Sequence, residues 1–500
     1  MPVQPDDPLR RVIEDQLGRA AFARYLAARI AAVANQKQAY SIHLYGPWGV
    51  GKSTVLNFLR AELERDKKWL VFEFNAWQHQ HIRPPWWSLM DSVFQQSKPK
   101  LSFWKRLAEN WWRLSSGRLQ YFIAVVVLVW ILVLAFSVFP MDTPSMTTTM
   151  KNWAAVADSA SKILAVIVTI WAVVTATSRS LLIGSARAAQ TYTEIVSDPM
   201  NEISRRFNKL IERLAPKPKR VAIFVDDLDR CQSSYVVELL EGIQTLFREA
   251  PVVFVVSADR RWLNACFEEV YKSLTPWVHE PGKPLGTLFL EKAFQFSTSV
   301  PGMPEALKEA FWRGLIQVAP ENAPTRMDEV RKRAQNTMAE KVSEGEVMQE
   351  IEQSHRRSAL EQRAIREEAV VRLAAPQIVE RTENTLKPFV TLLEPNPRAM
   401  KRLVNTYSVN RALAILSEVD IERDLLAMWT ILSMRWPRLG EYLEEHPEKV
   451  DMIGTQNVSG IPEELQALFN DNSVAKVVRD GPTGVSLDAD IVRRCALLRA

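Results

Sequence analysis

The sequence predicts an α/β chain: a three-layer parallel sheet with an inserted transmembrane helical hairpin and a C-terminal α-helical lid domain. Three observations predict it. Apolar β-type runs alternate with helical patterns, two long uncharged runs interrupt that alternation, and the chain beyond Pro301 turns helix-prone and highly charged. Five hundred residues, 47% hydrophobic and 24% charged, exceed one compact core, so two or three structural units are expected.

Tyr40 to Tyr45 alternates into a short strand and runs directly into Gly46-Pro47-Trp48-Gly49-Val50-Gly51-Lys52-Ser53, followed by the helical pattern TVLNFLRAEL. This is the Walker A spacing in its required strand, loop and helix context, the phosphate loop of a P-loop NTPase. The glycines let backbone N–H groups turn inward around the β- and γ-phosphates, Lys52 supplies a point charge to them, and Ser53 Oγ is placed to ligate Mg²⁺. Thr54 begins the helix whose dipole faces the anion. Gly46, Trp48, Gly49, Val50, Gly51, Lys52, Ser53 and Thr54 are therefore the candidate nucleotide-binding residues, with ATP and Mg²⁺ as cofactors. A second strand follows at Trp69 to Asn75, WLVFEFN.

Between Arg118 and Asp142 no charged residue occurs, and Tyr121 to Phe139 is long enough to span a bilayer core as a helix. A second uncharged run, Ile163 to Ser178, is short for a span, with Lys162 and Arg179 placed to snorkel. Lys151 alone is basic in the loop, whereas Lys98, Lys100, Lys105, Arg106, Arg113 and Arg118 precede the first span and Arg179 and Arg187 follow the second. The positive-inside rule then puts both termini and the nucleotide site on the cytoplasmic side of a multi-pass protein, assigned to the bacterial inner membrane. Trp104, Leu107, Trp111 and Leu114 recur at helical spacing before the hairpin, either as a helix lying in the interface or as a core-facing stripe. The adjacent span favours the first.

Arg220 to Asp226, RVAIFVD, is a continuous apolar run suited to a buried parallel strand and ends in Asp226-Asp227-Leu228-Asp229-Arg230. Asp226 is the metal-side carboxylate, joined by Ser53 at the Mg²⁺. Asp227, one residue further, is placed to orient or deprotonate the attacking water, so Asp227 and Lys52 are the candidate catalytic residues. Aspartate is shorter than the more usual glutamate, which points to slow hydrolysis. Pro251 to Ser257 forms a further strand and leads into Asp259, which either senses the γ-phosphate or caps the next helix. Roughly 170 residues separate the Walker A loop from the acidic strand, far more than a crossover requires, and the hairpin fills the gap.

From Ala323 to Arg372 the chain is nearly free of aromatics and reads as one or two long exposed helices inserted into the lid, with a solvated face preferred to a coiled coil. Cys231, Cys266 and Cys495 are odd in number and far apart, against a disulfide framework. The scattered histidines give no transition-metal spacing. A net charge of +5 with 63 basic and 58 acidic residues interspersed does not indicate nucleic acid. No signal peptide is expected at the N-terminus.

Together, GPWGVGKST at 46–54, FNAWQHQ at 74–80, FVDDLDR at 224–230, VVSADRRWL at 255–263, FLEKAFQFSTSVP at 289–301 and NPRAMKRLVN at 396–405 resemble the KAP family of P-loop NTPases. The resemblance covers roughly residues 20 to 435. It implies an ASCE-type, STAND-like ATPase with a helical lid, acting as a conformational switch, with a role in phage exclusion or, alternatively, as a membrane scaffold with a structural nucleotide. It also implies ATP/ADP, the membrane, a homo-oligomer and a further protein as partners. Arg398 or Arg402, in the last of these motifs, would then reach the γ-phosphate from the lid, unless these groups serve a solvated face or lid packing. Ala76 departs from the proline often found in that turn of the family. The domain plan is 20–100 and 191–300 for the two halves of the nucleotide domain, and 101–190 for the interfacial helix and two transmembrane helices at about 119–140 and 160–178. The lid occupies 301–435, with its charged insertion at 323–372, and a helical tail occupies 436–500.

Overall fold

The computed structural model describes residues 8–10, 12, 15, 17–33, 38–100, 199–303, 308, 324–393 and 397–498, apart from isolated positions within those spans. The chain divides into two units, residues 1–80 with 215–500, and residues 81–214. In the second, the described helices Pro85–Ser97 and Pro199–Leu214 pack on one another.

The larger unit is built on five parallel strands: β1 Tyr40–Tyr45, β2 Trp69–Asn75, β3 Arg220–Asp226, β4 Val252–Ser257 and β5 Phe296–Ser299, in the spatial order β2-β3-β4-β1-β5. The interiors of β3 and β4 are buried without alternation, as their continuous Val, Ile and Phe runs require of strands covered on both faces. β5 has four residues and, among the described residues, pairs with β1 alone, so a short run suffices at that edge. Because every strand runs the same way, their carboxyl ends share one edge of the sheet, where parallel sheets place their ligands. Register sets Asn75 beside Asp226 and Leu44 beside Ser257.

Helix α1, Arg19–Val33, packs on α2, Lys52–Arg65, and on the helix Ala359–Leu373. Phe22 and Tyr25 of α1, Leu44 of β1, Val55 and Phe58 of α2, Val370 and Trp429 belong to one buried apolar cluster shared by the sheet and the helical segments. Burial of each such side chain contributes about 2 kcal/mol.

The charged stretch is not the solvated insertion expected from its composition. Its three helices, Pro324–Ala339, Glu344–Ser354 and Ala359–Leu373, contribute Met338, Val347, Ile351 and Ile365 to the same core. Glu350, Glu367 and Glu368 are buried and paired: Glu368 with Arg24 at 2.5 Å, Glu367 with Arg363 at 3.0 Å and Arg331 at 3.2 Å, Glu350 with Arg357 at 2.8 Å and Lys341 at 2.9 Å. Such pairs offset their own desolvation rather than adding much stability, and they fix which face of Ala359–Leu373 meets α1.

The membrane reading is corrected. Among the described residues no helix is long and apolar enough to cross a membrane. Pro397–Leu416 reaches 20 residues but carries Arg398, Lys401, Arg402 and Arg411, and the apolar Arg423–Arg435 has only 13. The expected spans at 119–140 and 160–178 and the interfacial helix lie outside the described residues. The fold class that stands for the described residues is therefore a five-stranded parallel α/β sheet with packed helices, and no described helix supports the transmembrane hairpin or the multi-pass inner-membrane location.

His43 on β1 lies fully inside the sheet layer, its Nε2 donating to the Ala258 carbonyl at 3.1 Å and its ring stacked on Phe294. Burial, helped by the nearby charges of Arg260 and Lys52, lowers its pKa to about 3. The unfolded chain therefore takes up a proton below pH 6.5 that the folded chain refuses, and stability falls as pH drops from there towards about 3. A His43→Gln variant, which keeps a donor and cannot titrate, is expected to lose less of its thermal midpoint than wild type between pH 7 and pH 5; parallel melts check this.

Candidate functional site: a phosphate loop facing an acidic strand

Gly46 to Ser53 wraps from the end of β1 into α2. Gly49 and Gly51 sit at φ +83° and +93°, left-handed conformations that side chains rarely adopt, and a Cβ on Gly46 would meet Val50 Cγ1 at 2.8 Å. The loop is anchored from outside by Arg19, whose guanidinium donates to the Val50 carbonyl at 3.3 Å and to that of Pro301 beyond β5. Burial lowers the Arg19 pKa to about 10. Thr54 Oγ1 accepts from the Leu9 backbone N–H at 3.3 Å, so the N-terminal segment lies against the start of α2.

The Lys52 ammonium, 9% exposed, donates to the carbonyls of Gly46 and Pro47 at 2.8 and 3.2 Å and pairs with Asp229 at 3.1 Å. Ser53 Oγ donates to Asp226 Oδ2 at 2.8 Å, across 173 residues of chain. Burial raises the Asp226 carboxyl above its ordinary value, opposed by hydrogen bonds from Ser53 and from the Asp227 backbone N–H at 3.0 Å. A hydroxyl and a carboxylate are hard oxygen donors, and among the described residues no cluster of three or more His, Cys, Asp or Glu forms a protein-only metal cage. That donor set fits Mg²⁺, which keeps waters and phosphate oxygens and takes one or two protein ligands.

Asp227 follows β3 in a left-handed conformation, φ +56°. Oδ2 accepts from Asn75 Nδ2 at 2.6 Å and Oδ1 pairs with Arg230 Nε at 3.1 Å. Asn75 also caps the short helix Ala76–His79 by accepting from the Gln78 N–H at 3.0 Å, and Arg230 lies over the Trp77 ring at 5.5 Å. The FNAW and DDLDR motifs thus meet around one carboxylate. Asp259 is spent as the N-cap of helix Arg260–Val270, accepting from Arg261 and Trp262, which settles its two sequence readings in favour of the cap.

A cavity of about 1050 Å³ opens beside these groups, lined among others by Leu9, Ser53, Asn57, Asn75, Asp226 and Asp227. The structure brings together Gly46 to Thr54, Asp226 and Asp227. Trp48 is 64% exposed, its ring 6.0 Å from that of Trp262. The Arg398 side chain lies outside what is described, and Arg402 is engaged by Glu291 at 2.8 Å. Asn75, Asp229 and Arg19 escaped the sequence reading as site residues. For the first two the recurrent motifs were a signal without a chemistry; Arg19 gave none.

Residues 19–414 match the sequence model of the KAP family P-loop domain. Over 260 residues the chain is 22% identical to the Kinase D-interacting substrate of 220 kDa of Rattus norvegicus and 21% identical to that of Homo sapiens. The aligned segment is 51% of this chain and 14% of each relative.

Proposed function

The chain belongs to the KAP family of P-loop NTPases, and on that premise we propose that it binds ATP with Mg²⁺ and hydrolyses it slowly, as a switch acting on the packed helices. The observation that carries this reading is the 2.8 Å contact of Ser53 with Asp226 beside the buried Lys52 ammonium. Backbone N–H groups of Gly49 to Lys52 and the Lys52 ammonium neutralise the β- and γ-phosphate oxygens. Ser53 and Asp226 would hold Mg²⁺, which when bound draws charge from those oxygens. Asp227 takes a proton from water as its oxygen bonds to the γ-phosphorus, the bond to the β–γ bridging oxygen breaks, and ADP leaves with inorganic phosphate.

Slowness follows from the engagement of Asp227. With Asn75 on one oxygen and the Arg230 guanidinium on the other, its carboxylate must let go of a partner before it can take a proton from water. Arg230→Gln is expected to raise turnover about threefold, a modest factor because the pair is half exposed. Steady-state phosphate release at saturating MgATP checks this, and the same assay with MgGTP tests nucleotide choice. Transmission to the helices is supported by Arg19, which ties the phosphate loop to α1, and by Arg402, which joins helix Pro397–Leu416 to helix Leu285–Ala293. The cellular output proposed for the switch, phage exclusion, rests on family resemblance alone.

A second reading, a scaffold with a structural nucleotide, is favoured by the same restraint on Asp227. Phosphate release no faster from wild type than from Asp227→Asn would select it.

A further inference from the structure

Lys52 is a buried cation, and two carbonyls can solvate it without neutralising it. Neutrality comes from Asp229, itself 3% exposed and 3.1 Å away. The same oxygen, Oδ2, also accepts the Asp259 backbone N–H at 2.8 Å. Asp259 in turn caps the helix that carries Trp262, and the Trp262 ring meets Trp48 within the phosphate loop itself. A closed circuit therefore runs from Lys52 through Asp229, Asp259 and Trp262 back to the loop.

We propose that Asp229 is the resting counter-ion of Lys52, that nucleotide phosphate displaces it, and that the displacement reaches the Trp48–Trp262 pair through Asp259. This rests on residues 46–53 being the phosphate site. A phosphate oxygen taking the ammonium comes within a few ångströms of the Asp229 carboxylate, and like charges at that distance in a partly buried site repel. Lys52 and Asp229 then separate. The Asp259 N–H remains the tether of Asp229, so the start of helix Arg260–Val270 moves with it.

The test uses the full chain labelled with 5-fluorotryptophan, with Trp262→Phe identifying the Trp262 resonance. Asp229→Asn keeps an oxygen for the Asp259 N–H and removes the charge. It is expected to bind MgATP on the order of tenfold more tightly than wild type. Its Trp262 resonance without nucleotide should already lie where MgATP brings the wild-type signal. Affinity that is unchanged or weaker in Asp229→Asn, or a wild-type Trp262 signal that MgATP leaves in place, overturns the proposal while the phosphate site stands. Wild type that binds no MgATP overturns both. Should Asp229→Asn not fold, wild type alone decides: pyrophosphate, which offers phosphates without a base, must reproduce the MgATP shift, and its failure to do so overturns the proposal.

Discussion

Lys52→Ala is expected to weaken MgATP binding by at least about a hundredfold, or some 2.7 kcal/mol. Two losses combine. The phosphates lose a positive charge held in a site with little water, and they meet the Asp229 carboxylate that Lys52 had neutralised. The variant should also melt lower, because breaking a buried ion pair by removing one partner leaves the other charge uncompensated at a cost of about 3 kcal/mol. Lys52→Ala with Asp229→Asn separates the two losses: the double variant is expected to recover the melting midpoint and the share of affinity lost to Asp229 repulsion, but not the share lost with the ammonium. Titration of a fluorescent ATP analogue, with melts run in parallel, reads both quantities. Wild-type affinity in Lys52→Ala would place the phosphates elsewhere.

Asp227→Asn is expected to leave affinity within about threefold of wild type and to lower turnover by about 10² to 10⁴, the span of a lost general base. The substitution is conservative where it matters for folding. Asparagine tolerates the left-handed backbone seen at φ +56°, and its amide oxygen can still accept from Asn75. What it loses is the proton acceptor and the half-exposed pair with Arg230, and the latter is worth little to stability. Single-turnover phosphate release beside binding isotherms makes the comparison. A fall in affinity equal to the fall in rate would mean that Asp227 acts on the bound nucleotide or its metal rather than on water.

The phosphate loop was legible because its signals are local. Glycine at the turn positions, a lysine and a serine at fixed offsets, a strand before and a helix after are all properties of one short stretch, and Gly49 and Gly51 take the left-handed φ angles that favour glycine. The acidic strand was legible for the same reason, since a buried parallel strand must be apolar throughout and its first carboxylate marks its end. The charged segment misleads because composition reports charge and not solvation. Glu350, Glu367 and Glu368 look exposed when each is considered singly, yet arginines and a lysine let them be buried. The membrane hairpin is a reading of hydropathy over residues 101–190, which lie outside the described residues, and no described helix supplies a span in its place.

By itself the sequence determined the strand, loop and helix of the candidate phosphate site, the carboxylates that end the acidic strand and the family to which the chain belongs. Only the tertiary structure decided which side chain answers which: Asp229 to Lys52, Asn75 to Asp227, Arg24 to Glu368. The last two pairs span 152 and 344 residues. Periodicity and motif spacing report a residue's own surroundings, whereas a partner so distant is chosen by how the sheet edge and the helices pack, and that choice is made only when the chain closes on itself.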